Sequence, residues 1–135
     1  MTIEERQAFI IKLPYIDGVV PNKKRPYLII NVAEERIETL KISSIEDKIG
    51  KLCFDENVLI NNENPPFSKP SFVVINELYI INKNKSLSNH LLDNGSKLCE
   101  TEFERIYRRH DIYKKNNPYN FYQKTIDYQT FYKFN

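Results

Sequence analysis

No apolar run in this chain approaches the roughly 18 residues that a membrane-spanning helix needs, so nothing is expected to cross a bilayer. The opening residues Thr2, Ile3, Glu4, Glu5 and Arg6 lack a signal-peptide core, and a cytoplasmic protein is expected. Only two cysteines occur, Cys53 and Cys99, far apart and outside any C-x-x-C pair, so no zinc pattern exists. They are expected to be free thiols, buried as small apolar groups. Only two histidines occur, His90 and His110. They could form an acid–base pair, but nothing in the sequence brings them together, and structural or surface roles are favoured. No carboxylate cluster suggests a two-metal nuclease, and Glu34, Glu35 and Glu38 read as a solvated face. Neither metal nor cofactor is expected, and there is no internal repeat.

What is present fits one domain: 135 residues, enough to bury about two-thirds of the unfolded surface without a disulfide or metal. Hydrophobic residues at 41% and charged residues at 28% give the balance of a soluble globule. The net charge of +2 is too small to require a nucleic-acid partner. The cations are clustered, however, at residues 23–25 and 105–115, and clusters matter more than totals for phosphate contacts.

Strand signals follow one another quickly. Residues 8–13 form the first, ended by Pro14, and a ten-residue loop (15–24) leads to Arg25. Such a loop is long for a link between strands and suggests function or mobility. Residues 27–32 are continuously apolar and β-branched, as in a strand buried on both faces. Residues 37–42 alternate, as in a half-buried strand, and Ser43 and Ser44 close it. Residues 45–51 suit a short helix or turn. Further strands are expected at 52–54, 57–60, 71–75 and 78–81, the last two broken at Asn76 and Glu77. Residues 61–70 hold three prolines and read as a loop. Thr101, Glu102, Phe103, Glu104 reads as a capping box opening the one strong helix, with Phe103, Ile106, Tyr107 and His110 towards one face. Pro118 breaks it, and the aromatic tail 119–135 has roughly helical spacing around Tyr122, Ile126 and Gln129. Its rings must be covered by this domain, a second subunit or a partner. Strands without intervening helices predict a mainly β, α+β chain built on a small antiparallel barrel with C-terminal helices.

One stretch stands out: Lys23, Lys24, Arg25, Pro26, Tyr27, then Leu28, Ile29, Ile30, Asn31. Proline suits the first residue of a strand and pushes its predecessor towards extended geometry. Arg25 is therefore expected at the mouth of a rigid strand, a good position from which to meet a phosphate. If residues 27–32 and 37–42 form an antiparallel hairpin, Arg25 and Ser43 become neighbours.

Four ordered motifs resemble the MazF/PemK (Kid-type) toxin endoribonucleases of bacterial toxin–antitoxin pairs. They are the stretch from Lys24 to Asn31, the run Leu40, Lys41, Ile42, Ser43, Ser44, the strand from Ser71 through Glu77 to Lys83, and Gly95, Ser96, Lys97, Leu98 before the helix. The likeness spans residues 8–109. Glu77 stands where the family has glutamine, and Tyr79 where it has arginine. Residues 18–23 keep only the first glycine of a family loop. The resemblance implies an SH3-like barrel over residues 1–110, with 111–135 as an extension packing on the barrel or a partner.

It further implies metal-independent cleavage of single-stranded RNA. The 2′-hydroxyl attacks the adjacent phosphate and leaves a cyclic phosphate and a 5′-hydroxyl. Arg25 would be the main catalytic residue, with Ser43 or Ser44 holding a phosphate oxygen, since one register step exchanges the faces of a strand. RNA contacts are expected at Lys23, Lys24, Phe67, Glu77, Tyr79 and Lys83. Phe67 and Tyr79 would stack bases, although core packing is as good an account of Tyr79. The expected partners are a cognate antitoxin, protein rather than RNA, and a second copy in a homodimer. Two other readings stay open: a non-catalytic RNA- or partner-binding module of this type, and a phage-defence ribonuclease inhibited by an RNA antitoxin.

Overall fold

A computed structural model describes residues 2–46 and 48–135. Six strands and two helices follow in chain order. They are β1 (Ala8–Ile11), β2 (Arg25–Val32), β3 (Arg36–Ser44), β4 (Asn57–Leu59), β5 (Ser71–Asn82), α1 (Glu100–Asn116), β6 (Tyr122–Ile126) and α2 (Tyr128–Phe134). All six strands join one sheet in the order β1-β2-β3-β5-β4, with β6 added to β5. The result is a mixed α+β fold compatible with a small barrel-like architecture. Among the described residues no helix is long and apolar enough to cross a membrane.

The β2–β3 hairpin forms as its two hydrophobic patterns require, with Tyr27 opposite Lys41 and Leu28 opposite Leu40. Alternation along β2 sends Leu28 and Ile30 to one core and Tyr27 and Ile29 to the other. Both faces are buried, which explains the uninterrupted apolar run. The first core is closed by Phe103, Ile106 and Tyr113 of α1. The second is closed by Leu13, Leu87 and Phe131 of α2.

β5 is the hub. The two strands expected at 71–75 and 78–81 are one twelve-residue strand, bent where the break was expected. Leu40 pairs with Leu78, but the next residue, Lys41, pairs with Val74. Ile75, Asn76 and Glu77 are left over as a bulge, which bends the strand and re-aims its side chains. Before the bend β5 pairs with β4, Asn57 opposite Val74. After the bend it pairs with β6, Glu77 opposite Tyr122.

The β6 pairing corrects two expectations. The tail begins as a strand, not a helix, and that strand runs parallel, so the sheet is mixed and not purely antiparallel. The reason is the open edge of β5 beyond Val74, whose backbone groups need partners. Tyr122, Thr125 and Ile126 have the β-branched and aromatic character to supply them. Asp127 then starts α2 by accepting from the Thr130 amide at 2.7 Å. The Asn135 side chain accepts from the Lys12 amide and donates to the Lys12 carbonyl, each at 2.8 Å, tying the end of α2 to the sheet. Residues 111–135 thus pack on their own chain, and α1 runs straight through the boundary expected at 110.

Other local expectations change as well. Residues 52–54 form no strand; Ile49–Cys53 is a 3-10 turn, and Phe54 is left exposed. Helix α1 starts at Glu100 with no side-chain cap, so the Thr101 capping box does not form. Glu102 is buried instead, where it accepts from the Asn61 amide at 2.8 Å and pairs with Arg105. The cysteines are not buried: Cys53 is exposed and Cys99 half-buried. His90 packs edge-on against Phe131, whereas His110 is buried beside Phe121 with Nδ1 2.9 Å from the Ile75 carbonyl oxygen. The two histidines therefore serve different cores and form no pair.

Two outcomes follow from this packing. Phe131→Ala should destabilise the protein by about 3–5 kcal/mol, the usual cost of emptying a core phenylalanine site. Urea unfolding measures it, and a loss below about 1 kcal/mol would show that the tail is not part of the core. Burial holds the His110 pKa below its ordinary 6.5, outweighing the carbonyl contact and the nearby Asp111 and Glu38 carboxylates. The unfolded chain therefore takes up a proton at higher pH than the folded one. Stability should fall as pH drops through about 6.5, and His110→Gln should flatten that dependence. An unchanged slope in the variant would assign the acid sensitivity elsewhere.

Candidate phosphate-binding clefts

Two clefts open on either side of Arg25. The first, about 440 Å³, is walled by β3, the bend of β5 and the turn before β4. The second, about 530 Å³, lies between the start of β2, the end of β3 and the proline-rich loop. Arg25 lines both, and so does Lys48. Arg25, Lys41, Lys48 and Lys51 face Glu56 and Glu77 in the first cleft. Lys23, Lys24, Arg25, Lys48 and Lys69 face Glu46 in the second. A chain with a net charge of only +2 thus places seven of its 20 Lys and Arg residues around two adjoining hollows, where their fields add.

The β2–β3 hairpin puts Arg25 here. Tyr27 lies opposite Lys41, and two residues back on β2 and two on along β3 stand Arg25 and Ser43. Strand alternation then divides the serines, Ser43 into the first cleft and Ser44 into the second. Each serine therefore shares a different cleft with Arg25. Ser43 Oγ accepts from Lys48 Nζ at 3.1 Å. Ser44 Oγ accepts from the Glu46 amide at 3.2 Å, a local turn contact. Arg25 makes no ion pair among the described residues, and its Nε is buried without a hydrogen-bond partner there. A cation on a rigid strand with unspent donors suits an oxyanion ligand.

The wall of the first cleft is a connected network. The Tyr79 hydroxyl donates to Glu77 Oε1 at 2.7 Å and accepts from the Ile16 amide at 3.2 Å. Lys41 Nζ lies 3.4 Å from the same carboxylate oxygen and 4.1 Å from the centre of the Tyr15 ring. Lys124 of β6 donates to the Tyr15 carbonyl at 3.2 Å. The loop after β1 is therefore fastened to β5 and to the tail. Burial first, then the bond to Glu77, pushes the Tyr79 phenol far up. Burial does the same to Tyr27, whose ring meets Tyr79 edge-on at 5.3 Å. Both phenols stay protonated. Lys48 moves the other way: burial lowers its pKa, and Arg25, Lys51, Lys41 and Lys23 lower it further.

Of the expected site residues, Arg25, Ser43 and Glu77 meet in the first cleft, and Lys23, Lys24, Arg25 and Ser44 in the second. Three of the positions expected to contact RNA lie away from the open faces of the clefts. Tyr79 is fully buried and has no face to offer a base. Phe67 lines the second cleft, but its ring is 2% exposed and belongs to the first core. Lys83 sits beside Glu35, at the far end of β2 from Arg25, roughly 25 Å of strand away. In the 105–115 cluster, Arg105 is committed to Glu102 and the Leu59 carbonyl, and Lys115 to Asp111.

Sequence reading passed over Tyr15, Lys41, Lys48, Lys51 and Phe54. Lys41 was within reach, because it lies two residues from Ser43 on the same strand face. Phe54 is 52% exposed on the wall of the first cleft, an aromatic face that the 3-10 turn turns outward. Lys48 and Lys51 depend on how that turn folds back over β3, which no periodicity records. Among the described residues no group of three or more His, Cys, Asp or Glu could hold a metal.

Tyr79→Phe tests the wall. It removes one donor from a half-buried carboxylate and the acceptor for the Ile16 amide. The expected cost is about 1.5–3 kcal/mol, the range for a hydrogen bond to a charged group. Chemical denaturation measures it, and a cost under about 0.5 kcal/mol would mean that the loop is not held this way.

No protein-family model matches the chain, and no curated protein matches it either.

Proposed function

We propose that this protein is a metal-independent endoribonuclease, the toxin of a toxin–antitoxin pair, that cuts single-stranded RNA. One observation carries the reading: Arg25 stands on a ridge between two cation-lined clefts, with Ser43 on one side and Ser44 on the other. Consecutive nucleotides would occupy the two clefts, and the phosphate between them would lie over Arg25. In-line attack by the 2′-hydroxyl builds an extra negative charge on that phosphate. A guanidinium fixed at a strand mouth stabilises this charge without reorganising. Ser43 donates to a phosphate oxygen, and Lys23, Lys24, Lys51 and Lys69 hold the flanking backbone. Phe54 takes the stacking role for which Tyr79 and Phe67 are too buried. The same reading includes an SH3-like barrel of the MazF/PemK type, a homodimer in the cytoplasm and a protein antitoxin that covers the clefts.

A binding-only module is the second reading, and one observation favours it. The position where the resemblance puts a second arginine is Tyr79, buried and bonded to Glu77, so the cleft has one cation fewer than the family pattern implies.

Cleavage of a long single-stranded RNA in EDTA separates the two. Wild-type protein should cut, and Arg25→Ala should slow cutting by roughly 10²–10³-fold, as loss of a transition-state donor does. RNA affinity should fall less, because the lysines remain. Ser43→Ala should lose less rate than Arg25→Ala, since a neutral hydroxyl donates more weakly than a charged fork. Wild-type protein that binds RNA at fixed salt without cutting it would leave the binding module standing.

A further inference from the structure

A 2′-hydroxyl attack needs a proton acceptor, and Arg25 cannot serve because a guanidinium stays charged in proteins. This inference rests on the ribonuclease reading above and names the missing group. Among the described residues no carboxylate lines both clefts. Glu77 already holds the Tyr79 hydroxyl and Lys41 on Oε1. Glu56 lines only the first cleft and Glu46 only the second. Lys48 shares both clefts with Arg25, and its Nζ lies 3.1 Å from Ser43 Oγ, the hydroxyl assigned to a phosphate oxygen. If Ser43 holds a phosphate oxygen, an amine within hydrogen-bond reach of that serine would stand beside the sugar that carries the attacking oxygen. We propose that Lys48 is the proton acceptor for the 2′-hydroxyl, acting from the ridge between the two clefts.

The environment suits the role. Burial disfavours the ammonium, and Arg25, Lys51, Lys41 and Lys23 crowd it with like charge. Among the described residues, Glu46 and Glu56 are the carboxylates that face the same hollows without a committed partner and so oppose this effect. In the reaction the neutral Lys48 amine takes the 2′-hydroxyl proton as the 2′-oxygen bonds to phosphorus. The bond from phosphorus to the 5′-oxygen breaks, and that oxygen leaves with a proton from water. The products are a 2′,3′-cyclic phosphate and a 5′-hydroxyl, and the ammonium returns its proton to solvent. No oxidant or metal is needed for the balance.

The test is single-turnover cleavage of single-stranded RNA in EDTA across neutral to alkaline pH. The wild-type rate should rise with pH and level off below the ordinary lysine value of about 10.4. Lys48→Arg keeps the charge, so RNA affinity should hold while the rate falls by roughly 10²–10⁴-fold and the rise with pH disappears. Lys48→Ala should be partly rescued by small primary amines, in proportion to their free-base concentration. Circular dichroism checks that both variants fold, and the wild-type pH profile stands without them. Lys48→Arg cutting at the wild-type rate, or Glu77→Gln abolishing the pH rise while Lys48→Arg leaves it, would overturn the assignment. If Arg25→Ala is slow and Lys48→Arg is not, Lys48 fails and the ribonuclease reading survives. If wild-type protein cuts nothing, both fail.

Discussion

The bulge in β5 is the constraint on which the rest depends. Three residues, Ile75, Asn76 and Glu77, have no partner across β3, so the strand cannot stay straight. A straight β5 would offer one edge to one neighbour. The bent one offers its first half to β4 and its second to β6. The bend also turns Asn76 and Glu77 into the first cleft. The Ile75 backbone is satisfied from outside β3: its amide donates to the Glu56 carbonyl at 2.8 Å, and its carbonyl oxygen lies 2.9 Å from His110 Nδ1. That second contact explains why a histidine is buried in α1. Partners of this kind lower the cost of a bulge, since buried backbone groups left unpaired are expensive.

The cleft and the tail are therefore one construction. Asn76 donates to the Asn120 carbonyl at 3.2 Å, Glu77 lies opposite Tyr122, and Lys124 holds Tyr15. Each contact joins a cleft residue or its loop to residues 120–124. Ile126 and Phe131 then anchor this segment in the second core, each almost completely buried. The tail supports the wall from behind and leaves the mouth of the cleft open. The expectation that all the tail's rings are covered does not hold within this chain: Tyr119 is 97% exposed, Tyr122 is exposed, and Tyr128 stacks on Tyr132 at the surface.

The parts of this molecule legible in the sequence are those set by short-range periodicity. The continuous run after Pro26 and the alternation before Ser43 define a hairpin, and a hairpin fixes which residues meet. Arg25 and Ser43 were brought together on that basis alone. Helical spacing holds for the end of the tail, but Tyr122–Ile126 is a strand because its conformation is decided by a vacant edge on β5, more than 40 residues away in sequence. Composition said only that its rings needed cover. Tyr79 shows the limit of carrying a motif position across. On a strand buried on both faces, its ring is committed to the core, whatever another chain has at that place. Lys48 was invisible because a turn, not a repeat, delivers it.

The electrostatic arrangement follows from that geometry. Lys41 and Ser43 share a face of β3, and the 3-10 turn returns Lys48 and Lys51 over it, beside Arg25. Like charges at this spacing repel, and of Arg25, Lys41, Lys48 and Lys51 only Lys41 has a close carboxylate partner among the described residues. Placing cations so close together opposes folding, and nothing in the core requires it, since the apolar clusters lie beneath. In water the repulsion is modest because solvent and salt screen it. When a polyanion excludes that solvent, each unpaired cation gains an attraction that the free protein lacks. Lys48 feels this most, being partly withdrawn from water and ringed by Arg25, Lys51, Lys41 and Lys23. The same crowding that makes its ammonium unfavourable makes a phosphate favourable. The hairpin register, with Tyr27 opposite Lys41, carries Arg25 and Ser43 to the same end of the sheet, and both line the cleft in which these cations crowd.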